Sequence, residues 1–306
     1  MTSDPSTLRK HLDLYAFAAL VCLTMLWGLN YSAIKISNQG LAPVWTSALR
    51  SGIAALCGLA YCKKKGISPF HWDIRLLHGM AIGLLFGLEF ACLYLGTLWT
   101  EASRAVIFVY LSPFFVALGA HFLLKGEKLT LLKVMGLLLA FFGVVVLFWE
   151  HTAVEGSLLG DLLEVLAALF WAATTIYIKR FLAHQAHPIQ TFCYQLTFSL
   201  PVLLSLSLVL EPQRVFSLTP LVLLALAFQS VVVAFISYYV WFKLIHIYPV
   251  SDLSAFTFLT PLFGVLFSGL LLKEEWGPNL LLALGLVCMG IFLVNYSPKR
   301  PRTCGG

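Results

Sequence analysis

Ten apolar runs, each roughly 18 to 25 residues long, divide this chain and constrain it more than any other feature, because a helix of that length crosses a hydrocarbon core about 30 Å thick. They fall at Leu14 to Ile36, Ala42 to Cys62, Leu76 to Leu98, Arg104 to Leu124, Leu131 to Trp149, Leu158 to Lys179, Pro188 to Leu210, Leu221 to Ile245, Val250 to Leu272 and Pro278 to Tyr296. The runs are continuous rather than alternating, and a backbone facing lipid must satisfy its own hydrogen bonds, so they read as helices and not as barrel strands. The expected fold is all-α and integral to the membrane, with ten transmembrane helices.

Composition agrees. A chain of 306 residues that is 60% hydrophobic and 11% charged has more apolar surface than a soluble domain can hide. The net charge of +6 does not mark a nucleic-acid binder, since the basic residues stand singly or in short groups between the apolar runs. Of the seven cysteines, Cys22, Cys57, Cys92, Cys193 and Cys288 lie inside those runs. No CxxC or Cys/His spacing suggests a metal, and no cofactor motif appears. The opening MTSDPSTLRKHLD is too polar for the front of a cleaved signal peptide, and the run after it is too long for a signal core, so it is expected to stay as the first span.

The pattern repeats within the chain. The stretch LSPFFVALGAHFLL, then KGEKL, then TLLKVMGLLLAFFG returns near the other end as LTPLFGVLFSGLLL, then KEEWG and a further glycine-bearing apolar run. A shift of 148 carries Pro113 onto Pro261, Lys125 onto Lys273 and Glu127 onto Glu275, and a shift of 144 carries Trp27 and Lys35 onto Trp171 and Lys179. Each copy holds five runs, and an odd number turns the second copy over in the membrane. This predicts two inverted five-helix repeats with a site near the midplane where they meet. The chain then divides into a tail at 1–13, repeats at 14–150 and 157–296, and a tail at 297–306.

Lys and Arg in the loops set the orientation. With the N-terminus in the cytoplasm, the inner side holds Arg9, Lys10, Lys63, Lys64, Lys65, Arg75, Lys125, Lys128, Lys133, Lys179, Arg180, Lys243, Lys299, Arg300 and Arg302. The outer side holds only Lys35, Arg104, Arg214 and Lys273. The positive-inside rule therefore places both tails in the cytoplasm of a cell membrane protein.

Chemistry is sought among polar residues inside the spans. Arg50, in SALRSGIA, and Glu89, in FGLEFACLY, lie near mid-span. A charge at that depth costs roughly 2.5 to 3.5 kcal/mol on insertion scales, so each is expected to face the protein interior or a wet cavity. Two readings stand for Glu89: a substrate or proton-coupling role, or a structural pairing with Arg50 or a hydroxyl. Arg50 is expected to hold an acidic or carbonyl partner between the second and third spans. Asn30, Tyr31, Tyr94, Tyr110, Trp171, Thr175, Tyr238 and Tyr239, with Gln195 and Gln229, are candidates to line a cavity, against the plainer reading that they pack between helices or sit at interfaces. Lys35, Glu127, Lys179 and Glu275 at span ends are explained by snorkelling and loop ordering. Gly79, Gly83 and Gly87 recur every four residues and invite close approach of a neighbouring helix. Pro113 and Pro261 are expected to kink their helices in mid-span, which suits a gate and equally a static bend.

These segments resemble the EamA family of the drug/metabolite transporter superfamily, on WGLNYSAIK, LRSGIAAL, Pro113 with the GEKLTLLKVMGLLLAFFGVVVL that follows, and their echoes around Pro261 and Glu275. The likeness runs from about Leu14 to Asn295. It implies a ten-helix carrier in which the first four spans of each EamA-like repeat surround a central cavity and the fifth supports them. The implied function is secondary active transport, as an exporter, of a small metabolite such as an amino acid or a drug-like compound. Proton coupling is one option, membrane lipid is the surrounding partner, and nothing sets an oligomeric state. A channel or facilitator is the alternative. A membrane-embedded enzyme is disfavoured, because catalytic groups would need to cluster at one depth and the histidines are scattered.

Overall fold

The computed structural model describes residues 12–100, 102–149, 158–272 and 279–296. Its elements are helices: α1 Leu14–Ser37, α2 Pro43–Lys65, α3 Ile74–Trp99, α4 Ala102–Val109, α5 Ser112–Leu123, α6 Leu131–Phe148, α7 Leu158–Tyr177, α8 Pro188–Leu210, α9 Pro220–Ala227, α10 Tyr238–Ile247, α11 Val250–Ala255, α12 Leu259–Leu272 and α13 Leu280–Asn295. Wider π turns continue α7 through Ile178–Leu182 and bridge α9 to α10 through Phe228–Ser237, and a short 3₁₀ turn, Phe256–Phe258, joins α11 to α12.

Local chemistry fixes where these helices start and stop. Asp13 accepts the Ala16 amide at 2.9 Å and so caps α1. Pro43 opens α2 at a position where its missing N–H is not needed, and Gly66 closes it in the left-handed conformation at φ 66°. Thr130 caps α6, and His187 with Gln190 forms a reciprocal capping box on α8.

Eight stretches among the described residues are long and apolar enough to cross a membrane: Leu14–Ser37, Ile74–Thr97, Arg104–Leu123, Leu131–Phe148, Leu158–Leu182, Pro188–Leu210, Pro220–Ile247 and Val250–Leu271. The chain is a multi-pass, all-helical membrane protein. The ten expected runs differ from these eight at two places. Helix α2 has the length, 23 residues, but Arg50 with Thr46, Ser47 and Ser51 dilutes its apolar character, and α13 has 16 residues. Lys273 and Glu275, the boundary between the halves at 150–157 and the tails at 1–11 and 297–306 lie outside the described residues.

The prolines act differently from expectation. Pro113 sits in the first turn of α5, just after the chain breaks at Tyr110 and Leu111, and Pro261 is the third residue of α12, just after the 3₁₀ turn. A proline in a first helical turn forfeits no internal hydrogen bond, so each break precedes its proline instead of being centred on it. The rings of Tyr110 and Phe258, separated by 148 residues, lie 6.4 Å apart.

Close packing follows the small residues. A methyl placed on Gly79, Gly83 or Gly87 would meet Tyr194, Phe198 or Val202 of α8 at 2.5, 2.4 and 2.7 Å, so the stripe on α3 is the seam with α8. Helices α6 and α13 pair in the same way through Gly136, Gly143 and Gly290. Large apolar side chains such as Leu84, Phe142, Leu224, Leu281 and Phe292 remain exposed, the pattern of a surface whose solvent is lipid.

Candidate functional site

Helices α1, α2, α3, α4, α7, α8, α10 and α12, with Tyr110 at the α4–α5 break and Val233 of the π stretch, line a half-open cavity of ≈ 220 Å³. This is below the roughly 300 to 1,000 Å³ of pockets that take drug-sized ligands, so the space suits a small molecule. Its wall is rich in aromatic side chains, among them Trp27, Phe86, Phe90, Trp171, Tyr238, Trp241 and Phe242. Helical spacing makes the wall: Trp27, Asn30, Tyr31 and Ile34 share one face of α1, and Trp171, Thr174, Thr175 and Ile178 share one face of α7 and its π turn.

Several wall residues are fixed from behind. The Trp27 indole donates to the Ser237 hydroxyl at 2.9 Å and meets Trp241 edge to face at 5.4 Å. The Tyr31 and Tyr110 hydroxyls lie 3.3 Å apart and join α1 to the break before α5. Ser237 closes the π stretch, and such wide turns recur at functional sites because they push side chains out of helical register.

Two ionisable side chains line this cavity, Arg50 from α2 and Glu89 from α3. Arg50 is 5% exposed, yet its Nε and Nη2 have no hydrogen-bond partner. No ion pair joins it to Glu89 or to another carboxylate among the described residues, so the expected partner between the second and third spans is not formed. Instead the guanidinium lies over the rings of Phe90 and Tyr238, 5.2 and 6.0 Å from their centroids. Such stacking returns about 0.5 to 2 kcal/mol, whereas each buried unmet donor costs about 1 to 3 kcal/mol and more when charged. The ring contacts alone do not offset two open donors.

Of the remaining candidates, Asn30, Tyr31, Tyr110, Trp171, Thr175 and Tyr238 line the cavity, as does Gln195. Tyr94 does not; its hydroxyl is engaged by Ser47 and donates to the Pro43 carbonyl at 3.1 Å. Tyr239 packs on Tyr61 and receives Lys243 over its ring. Gln229 is buried against α1, donating to the Ser37 hydroxyl at 3.0 Å and the Ala33 carbonyl at 3.3 Å. Lys179 does not snorkel. Its ammonium donates to the Ile245 and Tyr248 carbonyls at 2.7 and 2.8 Å and closes the carboxyl end of α10, where helix carbonyls lack internal partners.

Sequence reasoning passed over Trp27, Thr174, Trp241 and Thr260 as wall residues, although the spacing on α1 and α7 carried a signal for the first two. Glu164 was likewise not among the candidate residues. Glu164 is completely buried, neither carboxyl oxygen has a partner, and its Oε1 lies 2.5 Å from where a methyl on Gly96 of α3 would be. Nearby, Asp161 accepts from the Thr100 hydroxyl at 2.6 Å and pairs with Arg104.

Comparison with known proteins adds the following. The model of the EamA-like transporter family matches at residues 14–149 and 158–296. The chain is 25% identical over 287 residues to the uncharacterized transporter YoaV of Bacillus subtilis, covering 92% of this chain and 97% of that one. It is 25% identical over 301 residues to a probable amino-acid metabolite efflux pump of Salmonella typhimurium, covering 94% and 96%. A solved crystal structure shares the fold at a TM-score of 0.78 and 21% identity, covering 91% of this chain and 96% of the other.

Proposed function

The chain belongs to the EamA-like transporter family, and from that premise we propose that it is a secondary active exporter of a small metabolite of amino-acid type, working by alternating access in the cell membrane. The observation that carries this reading is the cavity, to which the segments on either side of the 150–157 boundary both contribute and into which Arg50 and Glu89 project. A cavity rich in aromatic side chains, with two ionisable groups and contributions from both halves of the chain, suits a carrier that takes its cargo between them. The efflux-pump name of the Salmonella relative supports both the direction and the substrate class.

The reading includes ten spans arranged as two inverted five-helix repeats, with both tails cytoplasmic. In that arrangement α2 is a span because Arg50 faces the cavity, away from lipid, and its lysines lie at the inner end. Cysteine labelling from outside should then reach position 39 and miss position 64. Labelling of position 64 from outside would overturn the inverted scheme.

Glu89 is the coupling group in this reading. Charging and discharging it biases the inward- and outward-open states only if they bind the proton with different affinity. The test is labelled amino-acid counterflow and pH-driven uptake in proteoliposomes. Saturable exchange supports a carrier, and flux that rises linearly at channel rates supports a facilitator. Glu89→Gln should abolish gradient-driven uptake while exchange continues; unchanged gradient-driven uptake removes Glu89 from coupling.

A further inference from the structure

We infer that Arg50 is the anchor for a carboxylate, and that the cavity is built for a zwitterion whose ammonium group is taken by Asn30 and Gln195. The inference rests on the transporter reading for its biological sense, but the argument comes from the unmet polar atoms. Nε and Nη2 of Arg50 form one edge of the guanidinium fork, the edge that grips a carboxylate with two parallel bonds. Both are closed off from solvent and without a partner, so no bulk water supplies the missing acceptor. Phe90 and Tyr238 pack against the guanidinium, 5.2 and 6.0 Å from their ring centroids, and restrain the fork.

The same cavity wall holds the complementary deficit. Asn30 Oδ1 and Gln195 Oε1 are buried acceptors with no donor. Buried polar atoms are nearly always paired in a folded protein, so open donors beside open acceptors around one space describe what that space receives. An organic cation would answer the acceptors but meet repulsion from Arg50. A simple carboxylate would answer Arg50 but leave Asn30 and Gln195 open. A neutral polyol would leave the guanidinium charge uncompensated. A compound with one carboxylate and one ammonium answers both sets with no net charge, and the aromatic wall leaves room for an apolar side chain.

The experiment uses the purified full chain in detergent and follows its thermal unfolding with each of the common L-amino acids, with their decarboxylated amines and carboxamides, and with their des-amino acids. Ligand that binds the folded form raises the unfolding temperature by mass action, which converts to affinity. At least one amino acid should bind saturably, with its amine, its carboxamide and its des-amino acid each at least 100-fold weaker. Arg50→Lys should weaken the amino acid at least tenfold, and Arg50→Gln at least 100-fold. The amine supplies the control for folding: with the repulsive charge gone, Arg50→Gln should bind it more tightly than the unaltered chain does. The inference is overturned if the amine or carboxamide binds as well as the amino acid, if Arg50→Gln keeps its amino-acid affinity, or if no amino acid stabilises the unaltered chain. Counterflow of the same compounds separates this from the transporter reading. Amines exchanged as fast as amino acids would sink the carboxylate anchor and leave the carrier standing, and Arg50-dependent binding without exchange would do the reverse.

Discussion

Glu127 offers the sharpest test of how the repeated KGEKL knot works. It lies in the loop between α5 and α6, is 8% exposed, and its two carboxylate oxygens accept the Val250 and Ser251 amides at 3.0 Å each and the Ser251 hydroxyl at 2.9 Å. It therefore caps the first turn of α11 from a distant part of the chain, meeting amides that have no partner inside the helix. Glu211 does the same for α2, accepting Val44 and Trp45 amides at 2.7 and 2.8 Å. Loss of a helix cap costs about 0.5 to 2 kcal/mol, and hydrogen bonds to a charged group contribute about 1.5 to 3 kcal/mol each without being additive. Glu127→Ala should therefore cost about 2 to 4 kcal/mol, roughly a 30- to 700-fold fall in the folded-to-unfolded ratio. Glu127→Gln keeps one good acceptor and should lose less, and Ser251→Ala, which removes only the hydroxyl bond, less again. The assay is equilibrium unfolding of the detergent-solubilised protein. If Glu127→Ala unfolds like the unaltered chain, or if Glu127→Gln is as damaging as Glu127→Ala, charge-assisted capping is not what the carboxylate contributes.

Three further outcomes are expected. Gly290→Leu should abolish the close pairing of α6 and α13, because a methyl there already meets the Ala140 nitrogen and the Gly136 carbonyl at 2.5 Å and backbone cannot give way; loss of folded yield checks this. Gly285→Ala on the same helix, with nothing within 4 Å, should be neutral or stabilise by up to about 1 kcal/mol in the same unfolding assay. Glu164→Met should raise the unfolding temperature, since an apolar group of similar shape replaces a buried carboxyl whose oxygens have no partner; a fall would show that the carboxyl is paired in the protein as it exists in lipid.

The sequence showed the class of fold plainly because lipid imposes one strong rule: spans of fixed length with no open backbone. The glycine stripe on α3 was readable for a related reason, since three glycines at helical spacing have few uses other than close packing. The breaks near Pro113 and Pro261 were readable as to place and misread as to form. A proline in mid-run says that the ladder changes there, and only the fold shows that the helix ends a turn earlier and restarts. Gln229 and Lys179 were misplaced because a polar side chain in an apolar run has two good destinations, a cavity or an unsatisfied helix end, and sequence spacing does not distinguish them. Tyr94 illustrates the same ambiguity, since its hydroxyl closes the start of α2 instead of facing the chamber. The π stretch at Phe228–Ser237 left no mark that hydropathy could show, because its ten residues are as apolar as their neighbours.

The two helix breaks and the cavity belong to one physical arrangement. Tyr110 stands at the first break, lines the cavity, and meets the hydroxyl of Tyr31 on α1. Phe258, its counterpart 148 residues later, ends the 3₁₀ turn at the second break and lies against Tyr110, Phe114 and Phe141. A continuous helix resists bending because each turn is bonded to the next, whereas a chain that stops and restarts concentrates rotation at the few residues between. Motion at either break must therefore move Tyr110 or the ring packed on it, and with it the wall that faces Arg50 and Glu89. Tyr110→Phe removes the hydroxyl that bridges to Tyr31 and keeps the aromatic contact with Phe258. If the bridge holds the chamber in one state, this variant should shift the balance between states by the net worth of one hydrogen bond, about 1 kcal/mol or roughly fivefold. Fluorescence from paired labels on α1 and α5 would measure that shift. An unchanged distribution in Tyr110→Phe would show that the tyrosine pair does not take part in opening the chamber.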